Sequence, residues 1–261
     1  MPTPRLHPAS PTFTPDGTAQ SETYGDIYHS ADGGPGQANH VFLGGNGLPE
    51  RWQNRARFVV LENGFGTGLN FLATWAAWRA DPHRPERLHY LAVEKHPFRI
   101  PDLARLHAAW PEFQFLAEAL RNAWPVLTPG FHRLEFAAGR VVLTLMLGDS
   151  ADCLRKLRAS VDAFYLDGFD PKKNPDMWSP ELFRRCAQLA ACDATLATWC
   201  VAGSVRGALN EAGFATEKRP GYASKREMLA GRLAVPRAPA DSAPPFRHAV
   251  ILGAGLAGCA I

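Results

Sequence analysis

From residue 58 to residue 229 the chain alternates short apolar runs with longer amphipathic ones, and several of the apolar runs stop at an acidic residue. Phe58–Leu61, Leu88–Glu94, Val141–Leu147, Ala163–Leu166 and Thr195–Trp199 have the length and composition of strands. Helices are expected from about Asn70 to Arg79, near Pro101–Ala109, over Pro180–Ala190 and near Ser204–Ala212. Thr216–Arg219 and Arg226–Leu229 read as two last strands joined around Gly221. Strand and helix in alternation predict an α/β fold with a doubly wound, mostly parallel sheet, here closed by an antiparallel hairpin. In open sheets of this kind ligands sit at the carboxyl ends of strands, near the switch in strand order. Glu62, Glu94, Asp149 and Asp167 all fall at such ends.

The first strand runs into Glu62-Asn63-Gly64-Phe65-Gly66-Thr67-Gly68-Leu69-Asn70. Glycine at every second position lets the main chain turn with positive φ and lets a ligand lie against bare backbone. The helix that follows offers free N–H groups and the positive end of its dipole. The spacing is G-x-G-x-G and not the G-x-G-x-x-G of dinucleotide binders. With Glu62 ahead of it, this run resembles motif I of class I S-adenosyl-L-methionine (SAM) methyltransferases, which implies the Rossmann-like sheet of that class. The resemblance puts Gly64, Phe65, Gly66, Thr67, Gly68 and Asn70 around the cofactor, and Glu62 at its methionine end, directly or through water. Glu94, followed by Lys95, would bind the ribose hydroxyls, and Asp149, after Gly148, would accept from the adenine amino group. Any one of these acids can instead cap a following helix; their recurrence at successive strand ends favours reading them together.

Asp167 stands in Tyr165-Leu166-Asp167-Gly168-Phe169-Asp170-Pro171, followed by Lys172-Lys173-Asn174-Pro175-Asp176-Met177-Trp178. Amine methyltransferases place a carboxylate or amide, then proline and an aromatic, at the end of strand four. Methyl transfer is an in-line displacement, and the attacking nitrogen needs a free lone pair. An alkylamine is protonated with a pKa near that of lysine, ~10. A carboxylate beside it can orient the nitrogen and take its proton or pass it to water. Asp167 is therefore the catalytic candidate, with Phe169 beside it. Asp170, Asn174 and Asp176 either contact the acceptor or serve turn chemistry around two prolines. Trp178 either stacks on a base or belongs to the core.

Phe65–Leu72, Leu166–Phe169 and Lys173–Trp178 resemble the methyltransferase half of the tRNA 5-methylaminomethyl-2-thiouridine biosynthesis bifunctional proteins, the MnmC family. So do Tyr24–Tyr28, Val41–Leu48, Lys218–Tyr222 and Lys225–Leu229, so that the resemblance spans about residues 24–233. It implies SAM-dependent methylation of the amine of 5-aminomethyl-2-thiouridine at the tRNA wobble position. Two departures stand out: Asn63 where a small apolar residue is usual, and Asp170 where alanine is common. The first would shift the loop slightly and the second adds a charge.

Residues 1–22, rich in Pro, Thr and Ser, are expected to be mobile. Residues 23–233 form the methyltransferase domain and 234–246 a Pro/Ala linker. Residues 247–261 are a strand followed by Gly253-x-Gly255-x-x-Gly258, which reads as the start of a dinucleotide-binding domain. The resemblance makes that domain an FAD-dependent oxidoreductase. FAD would belong only to the missing C-terminal part, and the chain is expected to be an N-terminal piece of a longer protein.

Bulk properties narrow the class further. An apolar content of 46% is ordinary for a globular chain, and no long uncharged apolar stretch suggests a membrane span. Five scattered cysteines without a C-x-x-C argue against a disulfide framework or a zinc site, and the nine histidines, His29, His40 and His96 among them, show no ligand spacing. A net charge of +3 does not by itself imply a nucleic-acid partner, although a local patch can supply one. Lys218, Arg219, Lys225 and Arg226 cluster around the closing hairpin with Tyr222 between them, and Lys172 and Lys173 lie beside the acceptor loop. Such groups hold phosphates while an aromatic stacks on a splayed base, or they form a solvated hairpin. In the glycine-rich segment Tyr24–Trp52, Asp26 and Tyr28, with Asn46 and Arg51, lean toward the site rather than toward a structural hairpin. The expected partner is tRNA, with no membrane, for a monomeric cytoplasmic enzyme. A transferase acting on a small free amine and a non-catalytic SAM-binding support domain are the alternatives.

Overall fold

A computed structural model describes residues 6–14, 18–28 and 33–234. Most of the linker, the second glycine run, His29 and Cys259 lie outside the described residues.

A small antiparallel sheet opens the chain: β1 (Pro11–Phe13), β2 (Ala19–Ser21) and β3 (Asp26–Ile27). Within the segment expected to be mobile, the described residues thus form paired strands. Ala9, Ala19 and Ser21 are small enough to be buried. The Ala9 N–H donates to the Pro97 carbonyl at 3.2 Å, and Arg105 covers the Phe13 ring at 3.6 Å. Composition signals the lack of a core here, but backbone pairing and contact with the main body supply the order.

A helix follows, α1 (Gly34–Gln37), which continues through a π-helical turn (Ala38–Leu43) and a 3-10 turn (Gly44–Asn46). Then come β4 (Arg57–Asn63), α2 (Leu69–Ala80), β5 (Arg87–Glu94), α3 (Ile100–His107), α4 (Gln114–Asn122), β6 (Gly130–Phe136) and β7 (Val141–Leu147). The second half holds α5 (Ser150–Lys156), β8 (Val161–Leu166), α6 (Pro180–Leu189), β9 (Ala190–Thr198), α7 (Gly203–Glu211), β10 (Phe214–Pro220) and β11 (Glu227–Leu233).

The main sheet has the order β10-β11-β9-β8-β4-β5-β7-β6. The five central strands are parallel, and β6, β10 and β11 pair antiparallel at the edges. The chain leaves β4 for β5 on one side and reaches β8 on the other, so the switch in strand order flanks β4. Both faces are covered: one core includes Phe71, Tyr90 and Tyr165, the other Phe164, Phe183 and Phe214. Coverage on both sides explains why β8 is buried at every position and is apolar apart from Asp162, whose carboxylate accepts from Arg55 and the Val59 N–H. The closing hairpin stands as expected. β6 was not anticipated, because its apolar residues alternate with His132, Arg133 and Glu135 on a half-exposed edge. No helix among the described residues is long and apolar enough to cross a membrane.

Candidate active site

The carboxyl ends of β4, β5, β7 and β8 open into a cavity of about 800 Å3. Its floor is the turn after β4. Gly64 has φ +99°, and a Cβ there would lie far inside contact distance of the Asp167 carbonyl oxygen. Only bare backbone lets the strand ends of β4 and β8 approach so closely. From the first turn of α2, the Asn70 amide donates to Glu62 Oε1 at 2.7 Å and to Asp167 Oδ2 at 2.7 Å. Glu94 accepts from the Gly66 N–H at 2.7 Å and the His96 N–H at 2.6 Å, tying the glycine turn to the end of β5. Asp149 caps α5 by accepting from the Ala151 N–H at 3.0 Å and pairs with Lys95 at 3.2 Å.

Asn63, the departure from the usual small apolar residue, is buried and functions as a brace. It accepts from the Ser150 hydroxyl at 2.7 Å and donates to the Met177 carbonyl at 3.3 Å. Asp170 is held by its own turn: its carboxylate accepts from the Lys172 N–H, and its N–H donates to Asp26 at 2.8 Å. Asp26 also pairs with Lys173 at 3.3 Å. Above the floor, the Phe169 ring packs 4.9 Å from Tyr24 and 5.3 Å from Tyr28. Trp199 leaves the end of β9 and carries the Lys225 ammonium 3.7 Å above its ring centroid.

Residues 111–234 match a family model described as S-adenosyl-L-methionine-dependent methyltransferase. A tRNA 5-methylaminomethyl-2-thiouridine biosynthesis bifunctional protein MnmC from Azoarcus sp. (strain BH72) is 60% identical over 257 residues, 98% of this chain and 40% of the relative. The protein of the same description from Thiobacillus denitrificans is 60% identical over 246 residues, 94% of this chain and 40% of the relative. The chain belongs to the MnmC family. It spans about two fifths of the length of these curated relatives. The crystal structure of MnmC2 from Aquifex aeolicus superposes with a TM-score of 0.69 at 23% identity, covering 91% of this chain and 74% of that one, a likeness of fold.

The cavity of this MnmC-family chain suits the cofactor of its methyltransferase class. Its volume lies in the range of small-molecule sites, and in its turn Gly66, at φ +52°, is open apart from Tyr28, itself a lining residue. Gly64, Phe65, Gly66, Thr67 and Asn70 line it, as do Glu94, Lys95 and Asp149. Asp167, Phe169, Asp26, Tyr28, Asn174 and Lys225 line it too. Burial pushes the Asp167 carboxyl up to about 6, against the opposing pull of Asn70, Lys225 and Trp199. Burial also raises Glu94 despite its backbone donors. It lowers Lys225, against Asp167, Asp26 and Asp170.

Other expected site residues lie elsewhere. Glu62 is fully enclosed behind Asn70 and does not line the cavity, so direct contact with the methionine end is corrected. Gly68 turns the chain into α2 against Phe65 and Leu120, and Gly148 sits against Cys153. Trp178 is buried, and its indole N–H donates to the Phe169 carbonyl at 2.7 Å; it holds the acceptor loop from the core. Lys218 pairs with Glu227 at 2.8 Å and Arg219 with Glu217 at 2.7 Å, away from the cavity. Tyr222 packs its hydroxyl on Gly36, with its ring 5.9 Å from His40, which removes it as a stacking platform. Arg226 lines an adjoining cleft of about 560 Å3 with Lys172, and that cleft shares Asp170, Trp199 and Lys225 with the cavity. Asn46 and Arg51 are structural: Asn46 donates to the Phe42 and Phe164 carbonyls, and Arg51 reaches Thr195 at 2.6 Å.

Sequence reasoning missed Tyr24, Phe42, Ser150, Met177 and Trp199, all in the cavity wall. Trp199 follows a strand whose carboxyl end was already marked, so the strand-end rule applied there would have found it. Tyr24 and Phe42 carry no such positional signal.

Proposed function

We propose that this chain transfers a methyl group from SAM to the amine of 5-aminomethyl-2-thiouridine at the tRNA wobble position, giving 5-methylaminomethyl-2-thiouridine. The observation that carries the reading is a carboxylate, Asp167, fixed by Asn70 on the floor of a glycine-cradled cavity. The MnmC relatives support the acceptor.

SAM, when bound, supplies an electrophilic methyl group on a sulfonium. The turn Gly64–Gly68 and the Asn70 helix would hold its methionine end, and Glu94 and Asp149 its ribose and adenine. Asp167 is ionised above about pH 6, so at neutral pH it can accept a hydrogen bond from the acceptor amine. It then takes the departing proton or passes it to water. Tyr24, Tyr28 and Phe169 wall this position and exclude water. Lys225, Lys172 and Arg226 flank the opening with positive charge suited to RNA phosphates. We further propose a monomeric, cytoplasmic enzyme. The FAD-dependent step implied for residues beyond 246 would supply the amine.

The test is methyl transfer from labelled SAM to tRNA carrying the aminomethyl intermediate, followed by nucleoside analysis. Label in 5-methylaminomethyl-2-thiouridine is the expected result. Label in a small free amine but none in tRNA, with no salt dependence of binding, would refute the acceptor.

A further inference from the structure

Asn70 holds two carboxyl groups from two neighbouring strands with one side-chain amide. Both of its hydrogens are used, on Glu62 Oε1 and on Asp167 Oδ2, each at 2.7 Å. The opposite amide orientation would set its oxygen against both acceptors. The Thr74 hydroxyl donates to the Asn70 carbonyl at 2.7 Å, fixing the turn from which the amide projects. The far carboxyl, Glu62, has 0% exposure, and its Oε2 makes no hydrogen bond. The Tyr90 hydroxyl faces it without ordinary hydrogen-bond geometry and is also unpartnered.

We infer that Asn70 is a positioning residue for Asp167, and that Glu62 serves Asn70 as an uncharged buried anchor rather than as a contact to the cofactor. The inference rests on the methyltransferase reading. An ionised carboxylate enclosed among neutral groups, the Asn70 amide and the Tyr90 hydroxyl, is far costlier than the acid. The charged groups around Glu62 are acids, Asp167 foremost and Glu94 from the end of β5. With the proton on Oε2, Oε1 remains a carbonyl acceptor for Asn70. Asp167 differs in having Lys225, from the β10–β11 turn, and Trp199, from the end of β9, facing it. It therefore keeps its charge at neutral pH. Held at Oδ2 by Asn70, Asp167 lines the cavity beside Trp199.

The test combines carboxyl 13C NMR titration of the free protein with kinetics. Glu62→Gln and Asp167→Asn assign the two resonances. We expect Glu62 to titrate well above the ordinary carboxylate range and Asp167 near 6. Asn70→Ala should move the Asp167 midpoint upward, because a donor to the charged form is lost. In turnover, Asn70→Ala should lower kcat by about 10- to 100-fold, the low end of a general-base contribution, a larger loss than any in SAM affinity. Glu62→Ala should lower kcat likewise, and Glu62→Gln, which keeps the acceptor, should restore most of it. Asn70→Ser substitutes where Asn70→Ala does not fold. Titration of Glu62 as an ordinary carboxylate, an unmoved Asp167 midpoint in the Asn70 variant, or a SAM affinity loss without a kcat loss would each overturn the inference. If wild-type protein methylates no tRNA, the functional reading falls while the carboxyl titration still decides this one.

Discussion

The floor of the cavity and its roof are held together by different means. On the floor, Asn63 and Asp167 leave the paired strands β4 and β8, and Glu94 ties the glycine turn to β5 through two backbone donors. The roof consists of residues 24–28, the helix from Gly34 onward and the β10–β11 turn. Its outer parts are held by side-chain contacts such as Tyr222 on Gly36, the His40 ring nitrogen on the Pro220 carbonyl at 2.9 Å, and Asp26 on the Asp170 N–H, while Ala38, Val41, Phe42 and Leu43 root its helix in the core. A floor built from strand ends cannot shift without disturbing the sheet. The outer side-chain contacts of the roof can be altered without disturbing the sheet. Substitutions on the floor should therefore change chemistry and stability, and those on the roof mainly acceptor affinity.

The largest effect is expected from Asp167→Asn. Turnover in a single-turnover assay should fall by about 10²- to 10⁴-fold, while SAM affinity by calorimetry changes less than about twofold. A matching loss of SAM affinity would move Asp167 into the cofactor's contacts. The same variant has a stability signature. The folded pKa of Asp167, about 6, lies above the unfolded value near ~3.9. The folded state thus binds the proton more tightly, and its stability falls as pH rises through that window. Asn removes the penalty. Asp167→Asn should be more stable than wild type at pH 8, by about 1 kcal/mol after discounting for partial exposure. The gap should close below pH ~4, as read by urea unfolding at both pH values.

Gly64→Ala should come next. Its added Cβ meets the Asp167 main-chain carbonyl at a positive φ, and neither can yield without parting β4 from β8. A stability loss of about 2–4 kcal/mol should accompany a SAM affinity loss of tenfold or more.

This contrast also explains what could be read from the chain. Strands buried on both faces, such as Val141–Leu147, announce themselves as mostly apolar runs, here interrupted only by Thr144, and that strand was located to the residue. The acids at strand ends were found by the same logic. The depth of Glu62 was not legible, because its place in the motif says nothing about depth; Asn70 closes over it only in three dimensions. Trp178 and Tyr222 were ambiguous because an aromatic reads alike whether it faces a ligand or a neighbouring loop. Lys218 and Arg219 pair with acids on their own hairpin, contacts that the charge pattern alone did not reveal. The roof was least legible: its helix passes from α to π to 3-10 geometry over glycine-rich sequence with no period to detect.

Asp26→Ala tests the roof. It removes the acceptor for the Asp170 N–H and the partner of Lys173, both near the surface. Such contacts contribute about 0.5–1 kcal/mol, so the melting temperature should fall by only a few degrees, about 2–4 °C. The acceptor KM should rise severalfold with little change in SAM affinity. A SAM affinity loss equal to that of Gly64→Ala would erase the distinction between floor and roof.

Gly36→Ala is the sharpest comparison, because it repeats the Gly64 substitution where the obstacle differs in kind. The new Cβ again falls far inside contact distance, but of the Tyr222 hydroxyl, the tip of a rotatable side chain. Gly36 sits within α1 at ordinary helical φ. Alanine is favoured over glycine there by roughly 0.5–1 kcal/mol, which offsets the cost of swinging Tyr222 aside. The net change in unfolding free energy should stay within about 1 kcal/mol, with SAM affinity unaltered and acceptor KM shifted by the displaced hairpin turn. If Gly36→Ala proved as damaging as Gly64→Ala, the roof would be as rigid as the floor.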